Sequence, residues 1–181
     1  MVNRVPVFVH WSVIVLAIVF LVASIDRPLD AIAGIGAFLL VLLLHELGHQ
    51  FVATRLGYRV VAVEIYPIHG LCRIDRPETG LDAAKIAWGG VCGQFLLAVP
   101  VIIRLVVWGY SPYGPLNASL AICGPYSVAI ALFNLLPVRP LDGKTAWSLF
   151  SLLWKRRRRN RKQEKSALAI FEELAAKRKR R

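Results

Sequence analysis

Two stretches of this chain, residues 5–25 and 116–138, run for 21 and 23 residues without a single Asp, Glu, Lys or Arg. As helices rising ~1.5 Å per residue, each is long enough to cross the roughly 30 Å hydrocarbon core of a bilayer. The rest of the sequence agrees. The chain has 181 residues, 56% of them hydrophobic and 19% charged, with a mean hydropathy of +0.54, whereas soluble domains average about 25% charged residues. That composition excludes a disordered chain, a coiled coil and a small disulfide-bonded scaffold. Two further apolar stretches cover residues 31–53, interrupted by His45, Glu46 and His49, and residues 86–108, with Arg104 near the far end. Residues 145–154 are too few to span and suit an interfacial helix. The expected fold is therefore an all-α polytopic membrane protein with about four transmembrane helices plus a short interfacial one. The β-prone segments 60–66 and 70–74 allow a small β-hairpin in the 54–85 connection. The apolar run at 5–25 exceeds the ~7–15 residues of a signal-peptide core and is read as a span.

Charge is distributed unevenly. Residues 1–154 hold ten Lys/Arg and eight Asp/Glu, and residues 155–181 hold thirteen and three. Most of the formal +12 thus belongs to a tail, which divides the chain into a membrane core (1–154) and a basic cytoplasmic tail (155–181). Within that tail Ala167, Ile170, Phe171 and Leu174 recur at helical spacing, the pattern of an amphipathic helix suited to anionic headgroups. The 54–85 connection carries Arg55, Arg59, Arg73, Arg76 and Lys85, while the connections at 26–30 and 109–115 carry one Arg and none. The positive-inside rule then places both termini and the 54–85 connection in the cytoplasm of a multi-pass cell-membrane protein. The three cysteines, Cys72, Cys92 and Cys123, form no CxxC pair and read as free thiols. Nucleic acid is not an expected partner, because the tail offers no aromatic suited to base stacking beyond Phe171.

An ionisable residue inside a span is costly and points to function. Here three fall within five residues, His45-Glu46-Leu47-Gly48-His49. On a helix His45 and His49 project from one face, one turn apart, and can share a Zn²⁺ ion. Glu46, about 100° round the helix, is placed to take a proton from a metal-bound water. A catalytic zinc takes three protein ligands, and the remaining candidates are His10, His69 and Asp142. Pro137 and Pro140 should end the fourth span near Leu136. Asp142, followed by Gly143, then lies level with the histidines, or else occupies an ordinary interfacial turn.

The pair of motifs, HExxH at 45–49 and Asn134-Leu135-Leu136-Pro137 leading to Leu141-Asp142-Gly143, resembles the site-2 proteases, membrane-embedded zinc metalloproteases with HExxH followed by NxxPxxxLDG. The resemblance covers roughly residues 5–150. It implies one zinc ion per chain held by His45, His49 and Asp142, with Glu46 as general base and acid and an active-site role for Asn134 on the substrate backbone or oxyanion. The family's GPxxN stretch compares with Gly90-Val91-Cys92-Gly93-Gln94, where Pro is missing and Gln94 stands in place of Asn. No catalytic role is assigned to Gln94.

The implied activity is hydrolysis of peptide bonds in or near transmembrane segments of substrate proteins, as in regulated intramembrane proteolysis, at a site toward the cytoplasm. A sheet edge in the 54–85 connection would capture an unwound substrate as an added strand, or else serve only as a short structural hairpin. The expected partners are a transmembrane substrate, anionic lipid at the tail and a regulatory membrane protein. Two rival readings are a non-catalytic membrane scaffold that binds helices and a metal transporter using the His pair.

Overall fold

The computed structural model describes residues 5–67 and 69–179, with side chains as far as Leu168. Its centre is α2 (Pro28–Arg55), a 28-residue helix about 42 Å long at ~1.5 Å per residue. Pro28 opens it at a position where a missing N–H costs nothing. Against α2 lies α3 (Gly80–Trp108). Thr79 caps α3 by accepting the Asp82 N–H at 3.1 Å and donating its own hydroxyl to the Asp82 carboxylate at 2.8 Å. The third long apolar helix, Gly114–Asn134, is built from α4 (Gly114–Ala121), a π-helical turn (Ile122–Tyr126) and α5 (Ser127–Asn134). Pro125 sits inside the π turn, where a wider hydrogen-bond register accommodates its missing N–H.

These three helices are long and apolar enough to cross a membrane. The predicted first span has a different form. Residues Val7–Val9 are a strand, β1, and only Ser12–Ala23 is helical, α1. At 12 residues α1 is about 18 Å long, short of the hydrocarbon thickness. The cause is a pairing 56 residues away in sequence. β1 runs parallel to β2 (Val60–Ile65), Val7 opposite Val63, and β2 runs antiparallel to β3 (Gly70–Ile74). Pro6 contributes its carbonyl to the Val63 N–H at 3.0 Å, and the His10 N–H donates to the Ile65 carbonyl at 2.9 Å. The hairpin expected in the 54–85 connection is therefore present, as two strands of a three-stranded sheet ordered β1-β2-β3. One face of this sheet, Val63 and Ile65, packs on Leu42 of α2.

After α5 the chain unwinds and re-enters helix as α6 (Gly143–Ala146) and α7 (Ser148–Lys179). The expected interfacial helix at 145–154 is thus the last turn of α6 and the start of a 32-residue rod that continues into the basic tail. Trp88 of α3 holds this junction, donating its indole N–H to the Ala146 carbonyl at 3.0 Å and meeting Trp147 and Phe150 edge-on.

Glycine sets how closely α2 and α3 approach. A Cβ on Gly48 would collide with the Gly89 carbonyl, and one on Gly89 would lie 2.6 Å from the Gly48 carbonyl oxygen. The two backbones touch at this crossing, immediately beside the functional residues of α2.

A candidate metal centre

α2 carries His45, Glu46 and His49 into the interior, where they are 5%, 4% and 7% exposed. Spaced one turn apart, the two imidazoles stand edge to face, their centroids 4.6 Å apart. Asp142 arrives from the opposite side on the unwound segment after α5. Two features of that segment aim it. Trp147 donates its indole N–H to the Leu135 carbonyl at 2.7 Å, taking up one of the acceptors freed where α5 ends. Gly143 is buried so tightly that a Cβ would strike the Leu135 and Leu136 carbonyls, so only glycine lets the chain turn here immediately after Asp142.

The result is a cluster of three ligand atoms. Asp142 Oδ2 lies 2.9 Å from His45 Nε2 and 3.2 Å from His49 Nε2, and the two Nε2 atoms are 3.0 Å apart. The structure therefore brings together His45, His49 and Asp142. The other two candidates lie elsewhere: His10 and His69 both stack on the ring of Tyr66, at 4.9 and 5.1 Å. Asn134 is the last residue of α5, half-buried, and its side chain makes no hydrogen bond among the described residues.

The proton positions in this cluster follow from its other neighbours. His49 Nδ1 lies 2.7 Å from the Ile86 carbonyl, which can only accept, so Nδ1 carries the proton and Nε2 is bare. His45 Nδ1 lies 2.8 Å from Gln94 Oε1, while Gln94 Nε2 donates to the Ser127 carbonyl at 3.4 Å. That second bond turns the amide so that its oxygen faces His45, and the same conclusion holds for that ring. With both rings neutral, two Nε2 lone pairs and a carboxylate oxygen face one another. One added proton would relieve a single pair, whereas a cation relieves all three at once. Zinc with ~2.0–2.1 Å bonds separates tetrahedral ligands by about 3.3 Å, close to the observed 2.9–3.2 Å. The donor set fits zinc.

Gln94 and the Ile86 carbonyl were not identified as functional from the sequence. A main-chain carbonyl leaves no mark there. Gln94 left one, as an uncharged polar residue in an apolar span, four and eight residues along the helix from Gly90 and Ile86. All three lie on one face of α3. Gly90 is the floor beneath the rings, since a Cβ there would come within 2.7 Å of both imidazoles.

On the opposite side, β3 closes over the glutamate. Gly70 packs directly on the Glu46 side chain. Two residues on, Cys72 has its thiol pushed up to about 12, mainly by burial and then by the Glu46 carboxylate.

Comparison with known proteins places this geometry. Residues 33–113 match the model of Peptidase family M50, a region that includes His45, Glu46, His49 and Gln94 and ends before Asp142. A zinc metalloprotease of Methanocaldococcus jannaschii is 28% identical over 142 residues, covering 77% of this chain and 40% of the relative. A putative zinc metalloprotease of Synechocystis is 31% identical over 113 residues, covering 61% of this chain and 28% of the relative. A putative zinc metalloprotease of Mycobacterium tuberculosis is 28% identical over 176 residues, covering 82% and 41%. The chain thus spans less than half the length of these curated relatives. Among solved structures, the site-2 protease of M. jannaschii superposes with a TM-score of 0.67 at 24% identity, covering 86% of this chain and 70% of that one.

Proposed function

We propose that this chain, which is related to the site-2 protease family of membrane zinc metalloproteases, is an intramembrane endopeptidase that hydrolyses peptide bonds in or near transmembrane segments of other proteins. One observation carries the reading: two imidazole nitrogens and a carboxylate oxygen converge within 3.2 Å of one another, beside a buried glutamate on a helix long enough to span. A scaffold needs no such acid next to its metal.

His45, His49 and Asp142 would hold one zinc ion, which when bound polarises the scissile carbonyl and brings the attacking water's pKa to about 7. The Glu46 carboxylate accepts the water proton and returns it to the leaving amine. Burial of Glu46 beneath Gly70 keeps bulk water from competing for that carboxylate. Asn134, half-buried at the end of α5, is the proposed donor to the substrate backbone or oxyanion.

A substrate helix must unwind before its carbonyls are accessible. β3 is an outer strand, and Val63 and Ile65 of β2 direct their main-chain groups to β1. By alternation Ala62 and Glu64 pair with Arg73 and Leu71, and the main-chain groups of Gly70, Cys72 and Ile74 lie on the other side of β3, where the Cys72 N–H meets the Glu46 carboxylate. That edge begins above Glu46 and is the proposed seat of an added substrate strand.

The basic residues of α7 support the cytoplasmic placement of that end of the chain. They also support contact with anionic headgroups, worth about 1 kcal/mol per Lys or Arg near the surface. Arg158 covers the ring of Trp154 at 3.7 Å, which suits an interfacial position for this turn.

The test compares new protein termini in membranes of cells carrying the native chain or Glu46→Gln. A membrane protein cut only with Glu46 present supports the protease. Identical termini, with zinc retained by both forms, would leave the scaffold; metal uptake by liposomes carrying the purified protein would identify the transporter.

A further inference from the structure

We infer that Gln94 is a positioning residue of the metal centre: it selects the Nδ1–H tautomer of His45 and holds that ring so that Nε2 faces His49 and Asp142. The inference rests on reading the centre as a zinc site. Gln94 is 1% exposed, the largest fully buried side chain among the described residues. An amide left unpaired in such a place costs about 1–3 kcal/mol, and here both ends are engaged, one by His45 and the other by Ser127. The two bonds together fix a direction that neither fixes alone. A carboxamide can present either its oxygen or its nitrogen to an imidazole. The Ser127 carbonyl accepts only the nitrogen, so the oxygen is what remains for His45. Either ring nitrogen of a neutral histidine can carry the proton, and the partner of one nitrogen decides the state of the other.

The two histidines are held differently. His49 is oriented by a main-chain carbonyl of α3, which no substitution removes. His45 is oriented by a side chain, and through it by α5, the helix that leads to Asn134 and Asp142. Gln94 thereby ties a ligand on α2 to the segment that delivers the third ligand. The glycine contacts between α2 and α3 bring the amide within reach.

The experiment uses the full chain purified in detergent, as the native protein, Gln94→Met and Gln94→Glu. Methionine keeps the length and removes the acceptor. Glutamate keeps an oxygen toward His45. The first readout is the ¹⁵N imidazole spectrum of the zinc-free protein, simple because the chain has four histidines. The second is zinc affinity measured by competition with a chelator. His45 is expected as Nδ1–H in the native protein, with that preference lost in Gln94→Met while His49 is unmoved. Zinc binding should weaken roughly 10–100-fold in Gln94→Met, and Gln94→Glu should restore it to within a few-fold.

An Nε2–H tautomer of His45 in the native protein overturns the inference, as does an unchanged His45 tautomer in Gln94→Met. Equal loss of zinc in both variants also overturns it, because packing alone would then be responsible. If Gln94→Met does not fold, the native tautomer and Gln94→Glu decide. A native protein that shows the Nδ1–H tautomer yet binds no zinc refutes the zinc reading and leaves the tautomer assignment standing.

Discussion

Replacing Gly90 by alanine should weaken zinc binding far more than it weakens the fold. A Cβ at this position lies 2.5 Å from His49 Nε2, 2.6 Å from His49 Cε1 and 2.7 Å from His45 Cε1, whereas carbon contacts settle at about 3.5–4.0 Å. Each ring must therefore retreat by about 1 Å. Overpacking on this scale costs about 1–3 kcal/mol in a closed core. In the metal-free protein the imidazoles can turn away and shed most of that cost. With zinc in place they cannot, because both Nε2 atoms must meet one ion while both Nδ1 atoms keep their partners. The cost then falls on the metal, and at about 1.4 kcal/mol per tenfold it corresponds to a roughly 5–150-fold weaker Kd. The assay is thermal unfolding in detergent with a chelator and with excess zinc. Zinc at a thousand times the native Kd stabilises by about 4.1 kcal/mol, and a hundredfold weaker site retains about 1.4 kcal/mol of that. Gly48→Ala is the control. Its methyl would meet the Gly89 backbone rather than a mobile ring, so it should lower stability with and without zinc alike. A Gly90→Ala protein that binds zinc as tightly as the native form refutes the reasoning, because the floor of the site would then have slack that the contacts deny.

Three other expectations follow from single contacts. Asp142→Ala removes the proposed third ligand and should weaken zinc beyond the roughly 10–100-fold typical of outer partners, as read by chelator competition; unchanged affinity would remove Asp142 from the site. Thr79→Ala removes the cap of α3 and should cost about 1 kcal/mol in thermal stability, with zinc affinity unaltered. Cys72, its thiol pushed up to about 12 from an ordinary 9 by burial and the Glu46 carboxylate, should hold about a thousandfold less thiolate at pH 8 than an ordinary thiol. In a Cys92→Ser/Cys123→Ser background maleimide should label it slowly at pH 8, and faster as pH rises toward 12; labelling at pH 8 at the rate of an exposed thiol would contradict this.

The sequence made the pair on α2 legible because it is local: His45 and His49 are four residues apart, and helix geometry alone puts them on one face. Asp142 is 97 residues from His45, and its spacing alone suited an ordinary turn as well as a ligand; the motif resemblance pointed to it, and the structure brings it beside the two histidines. The same distinction explains residues 5–25. Their apolar content was plain, yet whether Val7–Val9 is helix or strand depends on β2, more than fifty residues on. Where β-branched residues and Pro6 meet a free strand edge, pairing outweighs the length argument for a span. The boundary of the interfacial helix was hidden for another reason. Nothing between Trp154 and Arg161 breaks a helix, so α7 continues through the change from apolar to basic.

The contact between Gly48 and Gly89 has a mechanical consequence. Helices that meet through side chains can slide, because rotamers supply play; helices that meet backbone to backbone have none. α2 and α3 must then move as one body, and they carry both histidines, the glutamate and the groups that orient the two rings. Asp142 reaches the same body by a different route: its segment is pinned to α3 where Trp88 bonds the Ala146 carbonyl and where Gln94 bonds the Ser127 carbonyl. The gap between Asp142 and the histidines is thus set by α3 from both sides, and loosening either anchor should widen it before the crossing of α2 and α3 gives way.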